Sequence, residues 1–116
     1  MPPRRVYVIW SHPLFRESVY LLLEHPDVVL TGANQDYGAA REQIIQHQPD
    51  VIVIEKIGED QPSEIYEILE NSPWDVDVIE LSLMDNLLSV YHHEQREVSQ
   101  AQELLNLVLK SGSDRV

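Results

Sequence analysis

The sequence predicts an α/β sandwich with a mostly parallel five-stranded sheet whose last strand is antiparallel. Three observations predict it. Short apolar runs rich in β-branched residues recur along the chain, and such runs mark strands covered on both faces. Segments with apolar residues at helical spacing stand between them. Between the fourth run and the fifth lie only Met84 to Leu88, whereas a parallel return needs a crossover of about a dozen residues or more. The order β-α-β-α-β-α-β-β-α then implies a layered α/β domain, with right-handed crossovers placing helices on both faces.

Each element has its own warrant. Arg4 to Trp10 is a nearly continuous apolar run and the first strand. Ser11 is a candidate cap and Pro13 is tolerated in a first helical turn. Leu14, Phe15, Ser18, Val19, Leu22 and Leu23 then form a stripe, which His25-Pro26-Asp27 ends. Val28 to Gly32 is the second strand, and Asn34 to Asp36 a capping loop. Tyr37 to Gln46 is a helix with Ala40, Ile44 and Ile45 inward. Val51-Ile52-Val53-Ile54, four β-branched residues in a row, suits a central strand. Ser63 to Asn71 is a third helix, with Ile65, Ile68 and Leu69 on one side. Val76 to Leu83 and Ser89 to Glu94 are the hairpin strands. The last helix starts at Ser99, where Ser99 and Gln102 are similar to a capping box, and Gly112 stops it.

Composition narrows the function. The 116 residues fit one domain by a prior of roughly 100–200 residues each. The absence of cysteine excludes a disulfide framework, a thiolate metal site, an iron–sulfur cluster and a cysteine nucleophile. No apolar run approaches the roughly 18 residues of a membrane span. The opening Met1-Pro2-Pro3-Arg4-Arg5 leads into a strand rather than a signal-peptide core. The expectation is a cytoplasmic protein with no membrane partner. A net charge of -12 argues against nucleic acid, whose phosphates demand a basic face. Between Glu55 and Asp85 ten carboxylates face only Lys56. The simple reading is a solvated face; the functional one is a surface that meets a basic partner or a cation.

Motifs for common chemistries are missing. There is no G-x-G-x-x-G, P-loop or G-x-S-x-G, and only four glycines, so no phosphate-cradling loop is expected. In His92-His93-Glu94, His92 and Glu94 share one strand face and His93 points to the other, so a metal site is not expected. Ser11 and His12 are adjacent, but a nucleophile pair needs reachable geometry and an orienting acid. No cofactor is expected.

Certain residues nevertheless carry a likeness. Arg5 to Glu17, read Arg-Val-Tyr-Val-Ile-Trp-Ser-His-Pro-Leu-Phe-Arg-Glu, resembles the opening of response-regulator receiver domains, closest to those of the LuxR/NarL type. Pro49 to Glu55 resembles the segment that carries the phosphorylated aspartate. Val78 to Ser82 resembles the fourth strand, which ends in Ser or Thr. The likeness covers residues 4–82 of a single domain, 1–116. Residues 83–112 form an atypical hairpin and final helix, and 113–116 a loose tail. It implies a flavodoxin-like (CheY-like) three-layer sandwich.

The departures imply a pseudo-receiver. Trp10 and Ser11 stand where the family has two metal-binding acids, and Glu55 stands at the phosphoacceptor position. Ser82 keeps the hydroxyl. The helix between strands four and five and the lysine after the fifth strand have no counterpart, Glu94 standing near the latter, and no DNA-binding module follows. The degenerate pocket is therefore Trp10, Ser11, Glu55 and Ser82, with no catalytic or metal residue. The expected function is non-catalytic protein–protein binding in signalling, with a sensor kinase or regulator as partner. Leu88 just before the last strand, and Tyr91 and His93 on it, are partner-binding candidates, because edge strands invite pairing. A homodimer through the last strand or helix is a further expectation. The alternatives are a metal- or phosphate-responsive switch using Glu55 and Ser82, with Glu55 as a phosphoaspartate mimic, or a small-molecule sensor at the same pocket.

Overall fold

The structure is a computed structural model that describes residues 3–56, 67–68, 70, 74–92 and 95–110. In chain order the described elements are β1 (Arg4–Ile9), α1 (Pro13–Leu22), β2 (Val28–Asn34), α2 (Tyr37–His47), β3 (Val51–Glu55), β4 (Asp77–Ser82), β5 (Leu87–His92) and β6 (Gln95–Gln100). A 3-10 turn (Ala101–Glu103) then leads into α3 (Leu104–Lys110). The helix expected over Ser63 to Asn71 lies largely outside the described residues; Glu67, Ile68 and Glu70 are helical.

The strands form one sheet in the order β2-β1-β3-β4-β5-β6. β1 pairs in parallel with β2 and β3, and β3 with β4. β5 is antiparallel to β4, and β6 to β5. The predicted hairpin is therefore present. Residues 83–86 make its turn, with Asn86 in the left-handed region at φ 52, which Asn tolerates better than most residues.

Among the described residues the sheet has six strands rather than five, and β5 is an interior strand. Gln95 to Gln100 carries one apolar residue, Val98, so it reads as a loop. Yet polar, charged sequence is how an end strand discourages unwanted pairing. This also corrects the last helix. Ser99 belongs to β6 and its hydroxyl donates to the Glu103 carboxylate, while Gln102 Nε2 donates to Gln100 Oε1 at 2.8 Å. No Ser99–Gln102 capping box forms.

Strand alternation sorts the core into two layers. On one face Val6, Val8, Val51, Val53, Ile79, Leu81, Leu88 and Val90 pack with Phe15, Val19 and Leu23, and with Ala101, Leu104 and Val108. On the other face Tyr7, Ile9, Ile52, Ile54, Val78 and Tyr91 pack with Ala40 and Ile44 of α2, and with Ile68 and Val76. Thus α1 and α3 cover one face and α2 the other. The β1–β2 register shifts between Val6 and Tyr7, where Gly32 lies opposite Tyr7. A Cβ on Gly32 would fall 2.9 Å from the Tyr7 ring. Glycine is required there by contact rather than by φ.

Candidate functional site

In open α/β sheets, ligands bind outside the carboxyl ends of the strands where the order reverses. Here that place is the end of β1 and β3, since the chain runs from β1 out to β2 and returns to β3 on the other side. Glu55 closes β3, and Trp10, Ser11 and His12 join β1 to α1.

The arrangement follows from the start of α1. A helix start leaves backbone N–H groups unpaired and carries partial positive charge. The N-cap is His12, not the expected Ser11, and no side chain of the helix caps it. The first turn also holds no acidic residue. Glu55 supplies what is missing from 43 residues away. Its Oε1 accepts from the Ser11 N–H at 2.7 Å and the His12 N–H at 3.0 Å. Its Oε2 lies 2.5 Å from His12 Nδ1. An ionised carboxylate can only accept, so the proton sits on Nδ1. The Glu55 side chain is 10% exposed and that of His12 73%. Burial pushes the Glu55 carboxyl upward, but the His12 ring, the two backbone N–H groups and the His12 charge outweigh it and hold it below its ordinary range.

The other pocket residues are not drawn to Glu55. Trp10 is partly buried against the α1 face of the core, and the Arg16 guanidinium carbon lies 4.7 Å from its ring centroid. Ser82 falls on the opposite face of the sheet. Glu55 registers with Leu81, so alternation sends the next residue to the other side. The Ser82 hydroxyl instead serves the hairpin turn, where it meets Asp85 Oδ2 and the Asp85 N–H, both at 3.4 Å. Glu55 and Ser82 therefore do not face one cavity.

A divalent cation does not fit these residues. Mg²⁺ takes hard oxygen ligands, chiefly carboxylates. Trp10 offers none, Ser11 a neutral hydroxyl, and both Glu55 oxygens already serve the α1 start.

The partner candidates need correction. Leu88 and Tyr91 are buried, at 0% and 1% exposure, because β6 pairs along β5 and both sheet faces are covered there. They are core residues, not presented anchors. His93 lies outside the described residues. So does Glu94, whereas its expected companion His92 is paired across the hairpin. His92 Nδ1 lies 2.5 Å from Oδ1 of Asp77, whose side chain is 1% exposed. Trp74 is likewise tied inward, donating from Nε1 to the Pro49 carbonyl at 2.7 Å.

Neither the Glu55–His12 contact nor the Asp77–His92 pair is anticipated by sequence reasoning. One signal exists for the first: Pro13 in the first helical turn shifts the cap from Ser11 to His12, beside a strand that ends in glutamate. The second pair follows from register, which sequence spacing alone does not fix.

Comparison with known proteins bears on the fold. The signal receiver domain of the putative response regulator NarL from Mycobacterium tuberculosis superposes with a TM-score of 0.60 at 23% identity, over 99% of this chain and 100% of that one. A mutant form of the anti-anti-sigma factor PhyR from Bartonella quintana superposes with a TM-score of 0.57 at 18% identity. That match covers 69% of this chain and 34% of the other, so this chain spans about a third of that protein. No protein-family model and no curated protein matches the sequence. The fold is that of a receiver domain.

Proposed function

We propose that this protein is a receiver-fold binding module in signalling that takes no phosphoryl group and catalyses no reaction. One observation carries the reading: Glu55, at the phosphoacceptor position, spends both carboxylate oxygens on the start of α1. Phosphoryl transfer to a carboxylate needs a free oxygen nucleophile and a cation to neutralise developing charge. The residues at this place favour neither. Glu55 then acts as a fixed strap that joins β3 to α1, and the domain works by presenting surfaces to a protein partner. The proposed setting is the cytoplasm. No described helix is long and apolar enough to cross a membrane.

The switch reading, with Glu55 answering to Ser82, is less favoured because the two lie on opposite sheet faces. A backbone amide NMR titration tests both. With Mg²⁺ at millimolar concentration, then beryllofluoride, the amides of Ser11, His12, Lys56 and Ser82 are expected to stay in place. Concerted shifts at these amides that reach β5 and α3 would overturn the reading.

A further inference from the structure

We propose that the groove between α1 and β2 receives a basic amphipathic helix from a partner protein. The inference rests on the binding-module reading and names its surface and the chemistry of its partner. Helix α1 buries Phe15, Val19 and Leu23 against the sheet. On its outer flank Leu21 is 72% exposed and Tyr20 36%. Together with Val28 and Leu30 of β2 they form the apolar floor of an open groove of about 650 Å³. Glu17 and Glu24 line the same groove, as does His25, whose Nδ1 accepts from the Asp27 N–H at 3.0 Å. Of the large apolar side chains that the described fold leaves exposed, Tyr20 and Leu21 line this groove, whereas Leu14 and Leu22 lie elsewhere on α1 and Val29 alternates onto the other sheet face. Contiguous apolar surface with a polar rim marks an interaction site.

Charge and shape choose the occupant. The groove carries two carboxylates on a chain of net charge -12, so a second copy would bring the same acidic rim and the same repulsion. An anionic membrane is disfavoured on the same ground. A partner with lysine or arginine beside its apolar face is attracted instead, and such charges also raise the association rate. The groove runs beside the second half of α1, where Glu17 to Leu23 span about 10 Å. A helix of about two turns with apolar anchors at i, i+3 or i+4 and i+7 matches that length. β2 is the end strand of the sheet, so the groove opens at the sheet margin, where a helix can lie alongside α1.

The test uses the full chain, labelled with ¹⁵N, and a twelve-residue amphipathic helical peptide of leucine and lysine. A scrambled peptide of the same composition is the control. Saturable amide shifts are expected in the second half of α1 and along β2, with at least tenfold weaker binding of the scrambled peptide. Leu21→Glu and Glu17→Lys/Glu24→Lys should each weaken binding tenfold or more. These side chains lie on the surface groove, and amide spectra of the variants verify that the fold is kept. Equal binding of the scrambled peptide, shifts spread to the exposed carboxylates Glu70, Asp75 and Asp85, or insensitivity to Leu21→Glu would overturn the proposal. So would a concentration-dependent dimer by sedimentation that protects α1 and β2, since a second copy would then hold the groove. The binding-module reading fails separately, through the Mg²⁺ and beryllofluoride titration, which does not involve Leu21.

Discussion

Glu55 shows how one side chain can cap a helix start that is far from it in sequence. It sits at the carboxyl end of a central strand, but its extra methylene carries the carboxylate to the N–H groups of Ser11 and His12. Glu55→Ala removes that acceptor from two N–H groups and a counter-charge from the helix start. The expected loss is about 2–3 kcal/mol, read by urea denaturation. Glu55→Gln keeps an acceptor oxygen and should lose about half as much. The pH dependence has a definite sign. The folded protein holds the Glu55 carboxyl below its ordinary value of 4.5. Its contribution is therefore complete above that value and disappears as pH falls through the lowered one. The stability gap between wild type and Glu55→Gln should be widest near neutrality and close in acid; a gap that grows on acidification would contradict the assignment. Asp77 makes a second residue-scale case. Its carboxylate is 1% exposed and meets His92. His92→Ala should cost about 2 kcal/mol, under the roughly 3–5 for a wholly buried pair, because His92 is itself 28% exposed.

Among the elements, legibility tracks burial. The strand Val51 to Ile54 is plain in the sequence because both its faces are covered, so every position is apolar. The hairpin is plain from the short gap alone, which forbids a crossover. β6 is not, because an end strand beside an already satisfied core needs little apolar sequence, and Gln95 to Gln100 supplies one valine. With β6 unread, β5 looks like an edge, and Leu88 and Tyr91 look available to partners. The site is legible in part for a related reason. Chain order brings Trp10, Ser11 and Glu55 to one end of the sheet, but pleat parity decides that Ser82 faces away. Two substitutions test these placements. Leu88→Ala should cost about 3 kcal/mol if β5 is interior, whereas at an exposed edge it would cost well under about 1. Gly32→Ala should cost about 1–3 kcal/mol through overpacking against the Tyr7 ring, although its place on an end strand would suggest tolerance. Both losses are read by urea denaturation.

At the scale of the whole molecule the dominant quantity is a net charge of -12. Its carboxylates repel one another more strongly when compact, so the folded state carries a self-repulsion that salt relieves. The opposing effect is small. Salt also screens surface pairs such as Arg41–Glu67, whose side chains are 54% and 40% exposed, and such pairs contribute about 0–1 kcal/mol. The Glu55 cap is mostly shielded from solvent and is screened less. Relief should therefore win, and raising KCl from about 0.02 to about 0.3 M should increase stability by about 1 kcal/mol, or about 4 °C in Tm for a chain of this size. The identity of the cation then separates a charge atmosphere from a built site. Mg²⁺ demands near-octahedral oxygen ligands, whereas Ca²⁺ accepts looser and larger coordination. An acidic surface without a preformed site cannot tell them apart, so at equal ionic strength both should raise Tm equally. A selective, saturable stabilisation by Mg²⁺ would mean that the carboxyl ends of β1 and β3 still hold a cation, and that Glu55 releases α1 to do so.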